Sequence, residues 1–431
     1  MVRKGILQAL CLCCLALLSC QRQDADYADA GSVFFSVNSS FGVATKTQYS
    51  GGHVADGQKE RIDWSSGDGF TILSPQSVII DKTQRPWVLS YNSPASGPEY
   101  SVADYVIGGE VTSSGVFSIS GITPTSVAND LHWGTGAHRF FGVYPMISSL
   151  PDTIKTGKGA GITTNTERTK GIITAYIPKA QTYSRTKAAG KSKRQGMSDV
   201  DSTHVYPQMQ YAWMWSAQYT AKPDLDVDMY FSPMITTFQI AVQGSDAKEV
   251  PITRLELHSA DDALQGTFKA TVWVKDYGTV IGRSNLSDMN VAYSDMQTCT
   301  SGVNDVVSFT MPAGTVVSSK KKVTFTVFVY PFGNGGAGYL SGLTLRFVSV
   351  RSGMPDLTRS LALKDASKGW VQFPAGRKIN IDGITLPEQL DPWHFSVTAT
   401  NFENEMSDVV VSPVKVKEFL SKEGGNLDEM E

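Results

Sequence analysis

Thr267-Phe268-Lys269-Ala270-Thr271-Val272-Trp273-Val274-Lys275 puts Phe268, Ala270, Val272 and Val274 on one side of an extended chain. Thr267, Lys269, Thr271, Trp273 and Lys275 fall on the other. Side chains alternate between the faces of a strand, so this period of two predicts a strand with one face on a core and one toward water. The pattern recurs in Val323, Phe325, Val327 and Val329, and in Ile379 and Ile381, which alternate with Lys378, Asn380 and Asp382. Further strands are expected over 33–37, 69–73, 78–80, 116–119, 140–144, 172–177, 237–242, 252–257 and 343–350. No long stretch carries a helical period. Many short strands separated by Gly, Pro, Asn and Asp turns predict an all-β chain. Because one sheet face needs another sheet to cover it, the architecture expected is the β-sandwich.

At 431 residues the chain is long for one domain, and two are expected. The polar segment 220–228 precedes a new apolar run over 230–242, so a first sandwich is placed at 31–220 and a second at 221–387. A C-terminal extension, 388–431, follows Leu386-Pro387. It carries another alternating run in which Trp393, Phe395, Val397 and Ala399 share a face, then 409–411, then Val414-Lys415-Val416-Lys417. Pattern alone leaves two readings of this tail. It completes the second sandwich, or it extends beyond it.

The N-terminus reads as an address. Arg3 and Lys4 precede an apolar run over 5–18, broken only by Gln8, which is too short to span a bilayer but suits a signal peptide, 1–19. Leu17-Leu18-Ser19-Cys20 resembles the lipobox of bacterial lipoproteins, and Gln21, Arg22, Gln23 and Asp24 turn polar at once. The resemblance implies cleavage before Cys20, acylation of its sulfur and a tether over 20–30. Each buried acyl methylene adds roughly 0.8 kcal/mol of membrane affinity, so an acylated Cys20 would anchor the chain in outer-membrane lipid without embedding it. Four of the five cysteines lie in the first twenty positions, which leaves Cys299 alone in the body. Core burial, not disulfides, must hold the fold.

Loss of a leader that carries Arg3 and Lys4 takes the formal charge from −3 to −5. That balance argues against a nucleic-acid partner. The one dense basic run, Arg185, Lys187, Lys191, Lys193 and Arg194, sits among Ala, Gly and Ser and reads as a mobile, solvated loop. No pair among the six histidines has metal-ligand spacing, and no Gly-x-Ser-x-Gly elbow occurs. The glycine-rich stretches 157–161 and 333–338 open no helix of a βαβ unit and read as flexible loops. Asp224, Asp226 and Asp228 lack the glycine and glutamate of a calcium loop and read as the solvated start of a strand. No catalytic residue, metal site or cofactor is assigned, and an enzyme is not expected. Tyr211, Trp213 and Trp215 share one face of a predicted strand. Such a row fills a core more often than it stacks on a sugar.

Four segments, in order after the lipobox, resemble the fimbrillin family of pilus subunits. They are Arg61-Ile62-Asp63-Trp64-Ser65-Ser66-Gly67-Asp68 leading into Phe70-Thr71-Ile72-Leu73; Arg139-Phe140-Phe141-Gly142-Val143-Tyr144-Pro145; Tyr230-Phe231-Ser232-Pro233-Met234-Ile235-Thr236-Thr237-Phe238, where Pro233 replaces the histidine many members carry; and Gly369-Trp370-Val371-Gln372-Phe373-Pro374-Ala375-Gly376-Arg377-Lys378-Ile379-Asn380-Ile381. The resemblance implies two transthyretin-like antiparallel β-sandwich domains with a C-terminal strand extension. It also implies a structural subunit of a cell-surface fimbria, exported as an outer-membrane lipoprotein, whose partners are other pilus subunits and a host or bacterial surface ligand. In the family a protease cuts after a basic residue behind the first strand, and a strand of the next subunit replaces the one removed. The residues allow this. Val33, Phe35 and Val37 would form one face of a removable strand, and its loss would bare an edge that invites a partner. Candidate cut sites are Lys46, Lys59 and Arg61, with Arg61 favoured. Candidate donors are Trp393, Phe395 and Val397, or Val414 and Val416. The alternative is a surface lipoprotein that binds glycans or host matrix and does not polymerise, with Trp213 and Trp215 as its contact residues.

Overall fold

The structure is a computed structural model that describes residues 35–39, 67–77, 79–81, 88–90, 102–107, 122–124, 131–133, 137–192, 200–221, 227–260, 262–275, 288–295, 298–331, 343–350, 357–362, 378–386, 397–399, 408–410 and 414–416. The first strands are β1 (Phe35–Ser39), β2 (Gly69–Leu73), β3 (Ile79–Asp81), β4 (Val88–Ser90), β5 (Val102–Ile107), β6 (Ile122–Pro124) and β7 (His138–Tyr144). After the short helix α1 (Asp152–Lys158) come β8 (Gly161–Thr164), β9 (Gly171–Ile177), β10 (Ala180–Ser192), β11 (Val200–Pro207), β12 (Met214–Thr220), β13 (Val227–Pro233) and β14 (Thr236–Gly244). Then follow β15 (Val250–Pro251), β16 (Arg254–Ser259), β17 (Gly266–Val274), β18 (Met289–Ser294), β19 (Val306–Thr310), β20 (Val316–Val317) and β21 (Lys321–Val329). The last are β22 (Leu343–Ser349), β23 (Leu357–Ala362), β24 (Lys378–Leu386), β25 (Val397–Ala399), β26 (Asp408–Val410) and β27 (Val414–Val416).

The chain is all-β, as the period of two predicts. In β17, Phe268, Ala270, Val272 and Val274 are buried, while Thr267, Lys269, Thr271 and Trp273 alternate with them at intermediate exposure. A seven-stranded sheet runs β1-β13-β12-β7-β2-β5-β6, and a four-stranded sheet runs β18-β17-β9-β8. These two face each other. A Cβ on Gly171 of β9 would lie 2.7 Å from the Phe141 ring of β7, and Trp213 Nε1 donates to the Tyr176 carbonyl at 2.9 Å. Both sheets take strands from either side of residue 220.

Twelve further strands form a path β23-β22-β16-β19-β10-β11-β21-β14-β24-β25-β27, with β26 also on β24, and β3 pairs with β4 and β15 with β20 in two small ribbons. β10 is its corner. Residues 180–182 pair with β19, and from Tyr183 onward β10 pairs with β11, with a register shift between Tyr183 and Arg185. Such a shift bends and twists a strand and lets one strand serve two sheet halves. The halves stack face to face, with the Phe309 and Phe325 rings 5.9 Å apart at 24°. Most ladders are antiparallel, but β1 on β13, β10 on β19, β11 on β21, β14 on β24 and β24 on β26 are parallel.

Two expectations are corrected. Arg185, Lys187 and Lys191 are not in a loop, because they lie in β10 and pair with β11. The glycine-rich stretch 157–161 is not a loop either. It ends α1, where Gly159 takes the left-handed conformation (φ 67°) that caps a helix C-terminus. The apolar run 230–242 is two strands, broken between Pro233 and Thr236. The predicted strand 116–119 and the stretch 333–338 lie outside the described residues.

Candidate functional site

Two sheet edges frame the candidate site. The first is the β1 end of the seven-stranded sheet. β13 alternates Val227, Met229 and Phe231, all buried, with Asp228, Tyr230 and Ser232, which are partly exposed. That alternation makes a half-buried strand where the aspartates read as the solvated start of one. β1 lies parallel along it, with Phe35 opposite Val227, Val37 opposite Met229 and Ser39 opposite Phe231. On its other side β13 pairs with β12 only at Ser232 and Pro233.

The floor beneath β13 is aromatic. Phe231 meets Phe70 edge-on, with centroids 5.4 Å apart, and Phe70 stacks on Tyr105 at 5.9 Å. Gly142 of β7 makes room for this layer, since a Cβ there would come within 2.8 Å of the Phe231 ring and 2.9 Å of Met229 Cε. The strand next to β1 is therefore locked into the core by its side chains. Its outer backbone edge over Val227–Phe231 is laddered to β1.

The second edge belongs to β24, the outermost long strand of its sheet half. It runs parallel to β14 from Thr237 opposite Lys378 to Gly244 opposite Leu386, with buried Ile381 and Ile384 on the core side. The tail covers its far side. Val397 pairs with Ile384, and Asp408–Val410 pair with Lys378–Asn380. β27 pairs with β25, which brings Val416 opposite Val397 and Val414 opposite Ala399. Of the predicted donors, Val397, Val414 and Val416 are thus gathered in one small ladder at the β24 edge. Trp393 and Phe395 lie outside the described residues, as do Cys20, Lys46, Lys59 and Arg61.

The aromatic row is not a surface row of tryptophans, since its Tyr211 is only partly exposed and packs against the core. Tyr211 ends a single 3-10 turn, and Trp213 and Trp215 are buried with Ala212 and Met214. Among the described residues no group of His, Cys, Asp and Glu is arranged to hold a metal ion, and no helix is long and apolar enough to cross a membrane. Sequence reading found β1 and the tail strands but missed β13 as the partner of β1. The available signal was the period of two through Val227, Met229 and Phe231.

The sequence matches no family model and no curated protein. Among solved structures, it is similar to a putative cell adhesion protein from Bacteroides ovatus, at 13% identity over 89% of this chain and 99% of that one, with a TM-score of 0.39. A putative cell adhesion protein from Bacteroides uniformis matches at 13% identity over 83% and 93%, with a TM-score of 0.37. A fimbrial assembly protein from Parabacteroides distasonis matches at 8% identity over 85% and 94%, with a TM-score of 0.25.

Proposed function

We propose that this chain is a structural subunit of a cell-surface fimbria, exported as a lipoprotein acylated at Cys20. In this reading proteolysis behind the first strand frees β1, and a tail strand of the next subunit takes its place. The observation that carries the reading is the position of β1. It is the terminal strand of its sheet and is held by a five-residue ladder to β13. Three strands (β13, β12 and β7) separate it from β2, the next strand in sequence. A single cut in the connection between Ser39 and Gly69 therefore breaks the chain link from β1 to β2 and leaves its ladder to β13.

Loss of β1 would bare the backbone of Val227–Phe231 beside a packed aromatic layer. Each backbone hydrogen bond contributes about 1 kcal/mol net, and an unmet group costs more. The vacant edge is thus a strong site for strand addition, in which the ladder gives affinity and alternate side chains set register. The tail supplies alternating strand-forming sequence, and in the monomer Val397 pairs with the subunit's own β24 while Val414 and Val416 pair with β25. Head-to-tail addition of this kind is open-ended and yields a filament.

The test is limited trypsin treatment of the purified full chain. The expected result is a monomer before cutting and a ladder of detergent-resistant oligomers after it. A chain truncated after Pro387 should be cut but give no ladder. Polymerisation of the truncated chain, or a cut full chain that stays monomeric, would overturn the proposal.

A further inference from the structure

The outer face of the four-stranded sheet holds two exposed lysines, each over an aromatic ring. Lys170 Nζ lies 5.1 Å from the centre of the Trp273 ring, and Lys158 Nζ lies 5.2 Å from that of Tyr176. Among the described residues neither ammonium meets a carboxylate. The carboxylates of the flanking segments are engaged elsewhere. Asp152 pairs with Lys155 at 3.2 Å, Glu167 accepts from the Asn165 amide at 2.6 Å, and Asp295 pairs with Lys269 at 2.6 Å. Asp288 is buried. Alternation puts the two rings on this face. Ile173, Ala175 and Ile177 of β9 are buried, which turns Tyr176 outward, and the same period turns Trp273 of β17 outward. The turn before β9 fixes Lys170, whose N–H donates to Asn165 Oδ1 at 2.8 Å.

Six residues of extended chain separate Lys170 from Tyr176, so at about 3.4 Å per residue the two lysine–ring pairs stand roughly 20 Å apart along the strands. Between them the face carries Thr174 and Thr271, with Lys269 opposite Thr174 and exposed Thr163 and Ser294 on the outer strands. The surface is thus short-chained and rich in hydroxyls at its middle, and aromatic and cationic at both ends. An ammonium held over a ring keeps N–H donors turned toward water, and with no counter-ion of its own it attracts an anionic ligand. The half-exposed rings beneath offer flat apolar surface beside that charge, which suits the C–H face of a sugar. A flat sheet face of this length fits an extended chain, not a compact ligand. We propose that this face binds an acidic polysaccharide, a linear chain of sugars in which some carry a carboxylate. The ammonium groups take the carboxylates, the rings take sugar faces, and the threonines bond to sugar hydroxyls. The site uses neither the β13 edge nor the β24 edge, so it does not depend on whether subunits polymerise.

The test uses the uncut full chain with polygalacturonate as probe and neutral dextran beside it. Polygalacturonate should bind and dextran should not. Binding should weaken as salt rises, because the exposed ammonium contacts are screened. Lys158→Gln combined with Lys170→Gln changes two exposed side chains and should weaken binding at least tenfold at an unchanged thermal midpoint. Trp273→Thr keeps a strand-forming residue on the same face and should cost several-fold at high salt as well as at low. The charge-matched pair Lys248→Gln and Lys320→Gln, exposed in other turns, should bind as the parent does. Failure to bind polygalacturonate would overturn the proposal, as would equal binding of dextran or equal loss in the charge-matched pair. Poly-glutamate bound as tightly, and unaffected by Trp273→Thr, would also overturn it by marking a surface for acidic peptide.

Discussion

The side-chain amide of Gln181 stands in for a missing strand against Phe328. Its Nε2 donates to the Phe328 carbonyl at 2.6 Å, and its Oε1 accepts the Phe328 N–H at 3.0 Å. β11 pairs with β21 only as far as Phe325, so beyond that point the outer side of β21 has lost its ladder partner. Gln181 is fully buried at the corner where β10 passes from β19 to β11, and it satisfies both backbone groups at once. Gln181→Leu keeps the volume and leaves a buried N–H and C=O unmet, at roughly 1–3 kcal/mol for each such group. The expected loss is about 2–4 kcal/mol, read from the midpoint of chemical denaturation at unchanged slope.

Two glycines should respond to alanine in opposite directions. At the end of β14, a Cβ on Gly244 would lie 2.5 Å from the Ser318 Cα, backbone that the Gly244 N–H to Ser318 carbonyl bond (3.2 Å) holds in place. Gly244→Ala should cost about 1–3 kcal/mol as an overpacked site. Gly157 sits inside α1, where the nearest atom to a Cβ is the Asp152 carbonyl oxygen at 3.9 Å. Gly157→Ala removes backbone freedom from the unfolded chain and should add about 0.5–1 kcal/mol. Thermal melts of the two variants against the parent check both signs.

These contrasts separate what the sequence discloses from what it hides. β9 and β17 were legible because each alternates buried and half-exposed side chains strictly, and the two pair with each other. β10 was not. Ala188, Ala189, Gly190 and the lysines have weak strand preference, and the ladder to β11 overrides it. The aspartates marked only the start of β13, and its body was readable in Val227, Met229 and Phe231, which carried the period. Partner choice was the least legible feature. β1 lies against β13 and β14 against β24 across long separations in sequence, and nothing local encodes a parallel neighbour. Gly142, which admits Phe231 over β7, is meaningful only once that pairing is known. Of the candidate assembly site, the two interacting segments were therefore readable as strands, and their places in the sheets were not.

Acid should weaken the outer face of β16 through Glu256. Its Oε1 accepts from Arg254 Nε at 2.8 Å, while His258 Nε2 and Arg346 Nη1 lie 3.0 and 3.3 Å from Oε2. Burial alone would raise this carboxyl. The His258 hydrogen bond and the Arg254 and Arg346 charges outweigh it and hold the pKa below the ordinary glutamate value. A folded-state pKa that is depressed gives stability present above the unfolded value and lost as pH falls through the folded one. Arg254, His258 and Arg346 are each about one-third or more exposed, so solvent screening limits the effect to about 1 kcal/mol or less. Glu256→Gln should therefore be less stable than the parent at pH 7. The gap should close as pH drops below about 4 and shrink with added salt. Denaturation midpoints across that range test it.

Cleavage should fall after Arg61 because of where the sheet begins to hold the chain. The Gly67 N–H donates to the Ile107 carbonyl at 2.7 Å, and the Ile107 N–H donates to the Asp68 carbonyl at 2.8 Å, so the backbone is fastened from Gly67 onward. A protease needs extended backbone that is free to enter its cleft, and hydrogen-bonded strand does not supply it. Lys46, Lys59 and Arg61 all precede that anchor. A cut after Arg61 separates β1 from the body while leaving the shortest stub ahead of β2 of the three candidates. N-terminal sequencing of the surface form should therefore read Ile62-Asp63-Trp64. Arg61→Ala should shift the start of that form to residue 60 or earlier and reduce oligomer yield. A surface form that begins at Cys20 and nonetheless assembles would show that β1 need not be released.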